Sequence, residues 1–130
     1  MTGSTPDVLS ESEVLSRLRS KRGQTGYRAM FSSWLGGIVT DPALMQIPLD
    51  DHLVHRGHGV FDTCTLSDGR LYRLDVHVDR LLQSASLARI EHSWSKEDII
   101  QMVVDTASKT GIRDGAVRYW LTVGPGGFSP

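Results

Sequence analysis

His77 and Arg80 stand three residues apart in the stretch His77-Val78-Asp79-Arg80-Leu81. On a helix that spacing puts both side chains on one face. A guanidinium there offers a bidentate fork to a phosphate or a carboxylate. Its competing use is a surface ion pair with Asp79 or Asp75, because most helical arginines are solvated. Arg118 has a different setting, inside the apolar run AVRYWLTV. A buried arginine needs an anion beside it. That anion is either a ligand at a strand end or a carboxylate such as Asp62.

Three histidines, His52, His55 and His58, recur at every third position beside Asp50 and Asp51. Imidazole and carboxylate are zinc ligands, but the three would project together only from a helix. Gly57 and Gly59 argue against one. The cluster is therefore read as histidines hydrogen-bonded within a tight, partly buried loop, not as a metal site. Arg56-Gly57-His58-Gly59 permits close backbone approach to an anion. It lacks the order of a P-loop or a dinucleotide fingerprint and is read as a turn. Cys64, the single thiol, sits in an alternating strand pattern and is expected to be a small core residue. No hydrolase motif surrounds Ser32, Ser33, Ser84 or Ser86.

The elements that must position these residues are legible in the pattern. Met1 to Leu9 reads as a flexible lead. Ser10 and Glu13 form a capping-box pattern that opens a short helix, closed near Gly23. Tyr27 to Trp34 is expected to be a strand, Gly36-Gly37 a turn, and Ile38 to Thr40 its return. Asp41-Pro42 breaks that run, and Pro48 to Gly59 is expected to be a loop. Val60 to Leu66 reads as a strand, Ser67-Asp68-Gly69 as a hairpin turn, and Arg70 to Leu74 as the returning strand. Asp75 is the expected N-cap of a helix running to about Ile90. Its apolar stripe holds Val78, Leu81, Leu82, Ala85 and Leu87 or Ala88. Ser95 with Asp98 opens a further helix that buries Ile99, Ile100, Met102, Val103 and Ala107, with Gly111 as its stop. Asp114-Gly115 turns the chain into a strand from Ala116 to Val123. Strands and helices in uneven groups predict an α+β fold: an antiparallel sheet packed by two main helices.

A chain of 130 residues suits one domain with its own core. The net charge of −1 carries no electrostatic footprint for nucleic acid or an anionic membrane. One cysteine rules out an internal disulfide and suits a reducing compartment. No apolar run reaches the ~18 residues of a membrane span. The first residues, MTGSTPDVLSESEV, lack a basic n-region and an apolar h-region, and they carry Glu11 and Glu13. A cytoplasmic location is therefore expected, with a plastid as the alternative if a leader is missing. After AVRYWLTV comes GPGGFSP, read either as a natural terminus or as a linker to a further domain, the second reading being favoured. The expected organisation is a lead and short helix over 1–25, a domain over 26–124 and a truncated linker over 125–130.

The blocks HRGHGVFDT, SDGRLYRLDVH and HVDRLLQSA, in that order, resemble the small N-terminal domain of the class IV (fold type IV) pyridoxal-phosphate enzymes. That family includes branched-chain aminotransferases, D-amino acid aminotransferases and aminodeoxychorismate lyases. The resemblance spans about Ile38 to Val123. SSWLGGIVTDPALM and DDHLVHRGHGVFDT are similar to plant members of the D-amino acid aminotransferase-like group. The resemblance implies that Arg80 grips the cofactor phosphate and that Phe61 lines the substrate pocket. Thr63 falls at a position that is threonine in the lyases and small or apolar in the aminotransferases. Arg118 falls at a basic position that contacts the substrate side in some members.

The same resemblance implies a departure. The family's Schiff-base lysine lies in a second, larger domain, and none of Lys21, Lys96 and Lys109 matches it. Alone, the chain is expected to be catalytically incompetent. The implied parent is a pyridoxal 5'-phosphate-dependent aminotransferase acting on amino and keto acids of the D-amino acid group. Two alternatives stand beside it. One is a lyase that converts aminodeoxychorismate to p-aminobenzoate and pyruvate; the other is a non-catalytic domain that associates with a full-length relative. A homodimer is also implied, and an apolar patch is expected on the sheet where a partner is missing.

Overall fold

Ser10 caps the first helix of the computed structural model, which describes residues 3–129. Met1 and Thr2 of the expected lead, and Pro130 of the tail, lie outside the described residues. The Ser10 hydroxyl accepts from the Glu13 amide at 3.2 Å, and the Glu13 carboxylate accepts from the Ser10 amide at 3.3 Å. That capping box starts α1 (Glu11–Arg22), which buries none of its residues. β1 (Met30–Ser32) and β2 (Gly37–Val39) form an antiparallel hairpin, Met30 opposite Val39. β1 is much shorter than the expected Tyr27–Trp34 strand. Tyr27 and Trp34 are both exposed, and among the described residues neither pairs with a strand.

The loop before the main sheet holds a short helix, α2 (His52–Arg56), where an irregular segment was expected. The Asp51 carboxylate caps it by accepting from the Leu53 amide at 2.9 Å. Gly57, at φ 63°, ends it in the left-handed conformation. Gly57 does not break the helix: it lies just past the end, where a glycine stops one at no steric cost.

β3 (Gly59–Ser67), β4 (Arg70–Leu71) and β5 (Gly115–Thr122) form a three-stranded antiparallel sheet in the order β4-β3-β5. β3 pairs with β5 along its length, from Gly59 opposite Thr122 to Leu66 opposite Gly115. The α+β class and the antiparallel pairing hold, but the strands divide between two sheets. Between β4 and β5 run the two main helices, α3 (Leu74–Leu87) and α4 (Lys96–Ser108).

α3 begins before Asp75. Arg73 stands at its N-terminus with φ 53° and gives no side-chain cap, so Asp75 falls in the first turn and the returning strand stops at Leu71. The earlier start follows from burial. Leu74, Val78, Leu81 and Ala85 repeat at helical spacing, and all four are buried. Leu87 is exposed, and Ala88 packs at the core's edge. The helix ends at Leu87 because Arg89 turns left-handed at φ 57°; the Ile90 amide then donates to the Ala85 carbonyl and Ile90 enters the core. No glycine or proline announces that stop. α4 has the predicted Ser95–Asp98 capping box. Ile99 and Val103 join Cys64, Leu74, Val78, Leu81, Ala85, Ile90 and Leu121 in one core between the helices and the inner face of the sheet.

Period-two alternation sorts β3 by face. Asp62, Cys64 and Leu66 point inward and are buried, whereas Phe61 and Thr65 point outward and are exposed. On β5, Val117, Tyr119 and Leu121 face in, and Ala116, Arg118 and Trp120 face out. Since α3 is docked by its buried stripe, Leu81→Ala should lower stability by about 2–5 kcal/mol in urea unfolding, as full truncation of a buried leucine does. A loss well under about 1 kcal/mol would mean that this stripe does not hold the helix.

Candidate functional site

Asp62 is a charged residue on the buried phase of β3, only 7% exposed. Such a group needs partners, and α3 supplies them. Its Oδ2 accepts from Arg80 Nε at 2.6 Å and its Oδ1 from Arg80 Nη2 at 2.7 Å. The Thr63 amide donates to the same Oδ1 at 2.7 Å, which fixes the carboxylate to its own strand. His77 Nδ1 lies 3.2 Å from Asp62 Oδ1 and 3.0 Å from Arg80 Nη2. A single ring nitrogen cannot serve both: it accepts from Arg80 or donates to Asp62.

Thus His77 and Arg80 share a helix face, as their spacing requires, but the fork of Arg80 is engaged by Asp62. Neither of the expected partners, Asp79 and Asp75, takes it. Asp79 instead pairs with Lys96 at 2.9 Å. The Arg80 side chain stays 62% exposed, and its remaining nitrogen, Nη1, has no hydrogen-bond partner among the described residues. The arrangement presents an oriented cation at the protein surface.

Charge and burial move the neighbouring ionisations. The Arg80 guanidinium, with help from the Thr63 amide and His77, holds the Asp62 carboxyl well below the usual carboxylate range against the opposing effect of burial. Asp62 in turn raises Arg80. Burial pushes the Cys64 thiol up, and the Asp62 charge adds to it. The thiol points into the core and donates to the Tyr72 carbonyl at 3.2 Å, the place of a packing residue and not of a nucleophile. Burial, then Asp62, also raises Tyr119, whose hydroxyl is buried without a hydrogen-bond partner among the described residues.

Phe61, Thr63 and Arg118 come together on the opposite, open face of the sheet. Arg118 stands across the strand pair from Thr63 and donates to its hydroxyl at 3.2 Å; its guanidinium lies 4.9 Å over the Phe61 ring. Arg118 is exposed, not buried in its apolar strand, because strand alternation turns it away from the core. Asp62 faces the other way, so the salt bridge weighed for Arg118 does not form; among the described residues Arg118 has no carboxylate partner. Trp120, opposite Phe61, extends this face with a second exposed ring. Thr63, Arg118 and Trp120 line a broad cleft; Arg80 is not part of its lining. The four expected site residues therefore fall into two groups, one on each face of β3.

The residue that joins them, Asp62, enters the sequence reading only as a partner for Arg118. The signal that identifies it is an acid on the same strand phase as Cys64 and Leu66, a buried charge that must be paired. The histidines fasten loops. His52 Nδ1 donates to the Gly124 carbonyl at 2.7 Å, His55 Nε2 to the Asp50 carbonyl at 3.1 Å and His58 Nε2 to the Ala88 carbonyl at 2.7 Å. Among the described residues no group of three or more acidic, histidine or cysteine side chains is placed to hold a metal ion. Lys96 is unsuited to nucleophilic chemistry, because its hydrogen bond to Asp79 raises its pKa where a reactive amine needs a lowered one.

The depressed Asp62 has a measurable consequence. Its stabilisation is fully present above the unfolded carboxyl value near pH 4 and is lost as pH falls through the lower folded value. Wild-type stability should therefore decline as pH drops below about 4, and Asp62→Asn should flatten that acid limb. Equal slopes in the two proteins, followed by urea midpoints against pH, would remove the Asp62 pair from the account.

Comparison with known proteins shows the family of the chain. Residues 59–130 match the family model described as Amino-transferase class IV. The chain is 54% identical over 121 residues to the D-amino-acid transaminase, chloroplastic, of Arabidopsis thaliana, covering 93% of this chain and 32% of that protein. It is 34% identical over 76 residues to the aminodeoxychorismate lyase of Bacillus subtilis, covering 58% and 26%. Its fold is similar to that of a T.th. branched-chain amino acid aminotransferase complexed with N-(5'-phosphopyridoxyl)-L-glutamate, with TM-score 0.65 and 21% identity, covering 72% of this chain and 33% of that one. The chain thus spans about a third of the length of these curated relatives. With more than half of its residues matched to the family model and the matching fold around them, it belongs to the class IV aminotransferases, a pyridoxal-phosphate-dependent family.

Proposed function

We propose that this chain is the small-domain portion of a pyridoxal-phosphate aminotransferase that acts on D-amino acids and their keto acids. The observation that carries this reading is the pair of arginines mounted on adjacent residues of β3, Arg80 on Asp62 and Arg118 on Thr63. Each leaves part of its cation accessible, and the two lie on opposite faces of one strand. Arg80 is the residue to hold the cofactor phosphate. Its unpartnered Nη1, on a mostly exposed side chain held by Asp62, fits a phosphate ester. Arg118, without a carboxylate of its own among the described residues, suits a carboxylate of the substrate. Phe61 and Trp120 give that side an apolar wall.

Pyridoxal phosphate, when bound, supplies the electron sink that lets an amino acid lose its α-proton. The chain's own contribution is binding and orientation. The lysine that moves the proton is assigned to a second domain, since none of Lys21, Lys96 and Lys109 matches the family position and Lys96 is tied to Asp79. Similarity to the Arabidopsis transaminase over nearly the whole chain supports the D-amino acid substrate class. The lyase reading is the second choice, supported by Thr63 and by the Bacillus relative. The open sheet face with Phe61 and Trp120 exposed supports assembly as a homodimer, or association of the chain with a longer relative. Among the described residues no helix is long and apolar enough to cross a membrane. The chloroplast named for the Arabidopsis relative supports a plastid over the cytoplasm as the compartment.

Two measurements test the proposal. In a protein carrying this chain together with the second domain, Arg80→Ala should weaken retention of pyridoxal phosphate by about tenfold or more, the scale of a lost charge-assisted hydrogen bond. Unchanged retention refutes the phosphate role. In the same protein, D-amino acids should yield keto acids; release of p-aminobenzoate from aminodeoxychorismate with no transamination would select the lyase. For the 130-residue chain alone, borohydride treatment should leave no pyridoxyl group attached. A reduced, covalently held cofactor on it would overturn the assignment of the lysine to another domain.

A further inference from the structure

We infer that Asp62 is a positioning residue for the phosphate site: it fixes the Arg80 guanidinium so that Nη1 is the nitrogen presented to the phosphate. The inference rests on the reading of Arg80 as the phosphate anchor. A free arginine would offer phosphate its strongest edge, the parallel Nε–H and Nη2–H pair. Here that edge faces Asp62 at 2.6 and 2.7 Å. Nη2 also lies 3.0 Å from His77 Nδ1, and Nη1 is the nitrogen without a partner among the described residues.

The mounting is rigid from the strand outward. The Thr63 amide holds Asp62 Oδ1 at 2.7 Å, and the carboxylate is buried beside Cys64 and the half-buried Tyr119. Arg80, by contrast, is mostly exposed and would otherwise sample many rotamers. Fixing it before a ligand arrives removes the ordering cost from the binding step. Two effects oppose one another. The Asp62 charge weakens the pull of Arg80 on an anion, while the fixed geometry strengthens it. The negative charge lies on the edge of the guanidinium away from Nη1, and it is buried. An anion at Nη1 therefore meets the cation first, and positioning prevails over repulsion.

The test uses the protein that carries this chain together with the second domain, and two probes, inorganic phosphate and pyridoxal phosphate, with thermal unfolding measured alongside. Asp62→Asn keeps the shape and removes the charge; Asp62→Glu keeps the charge and lengthens the side chain. A positioning carboxylate predicts that Asp62→Asn weakens both probes by about tenfold, the effect of one lost charged hydrogen bond, and that Asp62→Glu restores most of the affinity. A role in packing alone predicts the reverse order. The Arg80 Nε–H resonance should exchange slowly with solvent in the wild type and fast in Asp62→Asn. Should Asp62→Asn fail to fold, the wild-type resonance and the affinity of Asp62→Glu decide: fast exchange or lost binding overturns the inference. Phosphate affinity in Asp62→Asn equal to or above wild type also overturns it, the rise marking Asp62 as a competitor. Arg80→Lys is the separate control. Wild-type affinity in that variant, or no phosphate binding by the wild type, defeats the phosphate-anchor reading itself, whatever Asp62 does.

Discussion

The bidentate pair between Asp62 and Arg80 is the constraint on which the rest of this structure turns. An acid on the inward phase of a strand cannot stay ionised in a core without a cation at hand. β3 provides the acid, and α3 must come to it in one rotational setting for the arginine to reach. The apolar stripe of α3 gives the same setting independently: Leu74, Val78, Leu81 and Ala85 enter the core while His77 and Arg80 fall at its edge. Hydrophobic burial brings helix and sheet together, and the ion pair selects the register between them.

That register determines what each face can bind. Because Asp62 and Thr63 are neighbours on a strand, their side chains leave on opposite faces. One holds Arg80 and the other meets Arg118. In the proposed reading the cofactor phosphate and the substrate carboxylate each take their own guanidinium, Arg80 and Arg118. Peptide geometry separates the two cations, so both can remain charged at close range. Phe61 lies under Arg118, which adds a cation–π contact and keeps the guanidinium over the open face. What covers that face is not a segment of the described chain, and its exposed rings are the sort of surface that a second domain or a second copy buries.

Much of this was legible in the sequence, and the misses have physical causes. The capping boxes at Ser10 and Ser95 and the antiparallel core strands follow local rules and appear where local rules put them. Asp75 is a good N-cap by composition, but burial of Leu74 draws the start of α3 two residues earlier. Its end was misplaced because a left-handed Arg89 stops it without a glycine. α2 is hard to see in the sequence because Gly57, which would break a helix from inside, is the stop just past its end. At the site, the shared helix face of His77 and Arg80 could be read from their spacing, but the partner of Arg80 could not, because Asp62 is eighteen residues away and only the fold joins them. Arg118 was expected to be buried on the strength of its apolar neighbours; strand alternation placed it outside.

The most direct test of the central claim is a double-mutant cycle between Asp62 and Arg80, read by urea unfolding near neutral pH with Asp62→Asn, Arg80→Gln and the pair combined. If the two side chains act as one unit, the double variant should be about as destabilised as Asp62→Asn alone, because the second change removes an interaction already lost. Additive effects, with the double variant destabilised by the sum of the two single changes, would show that the pair does not bind β3 to α3 and would contradict the account.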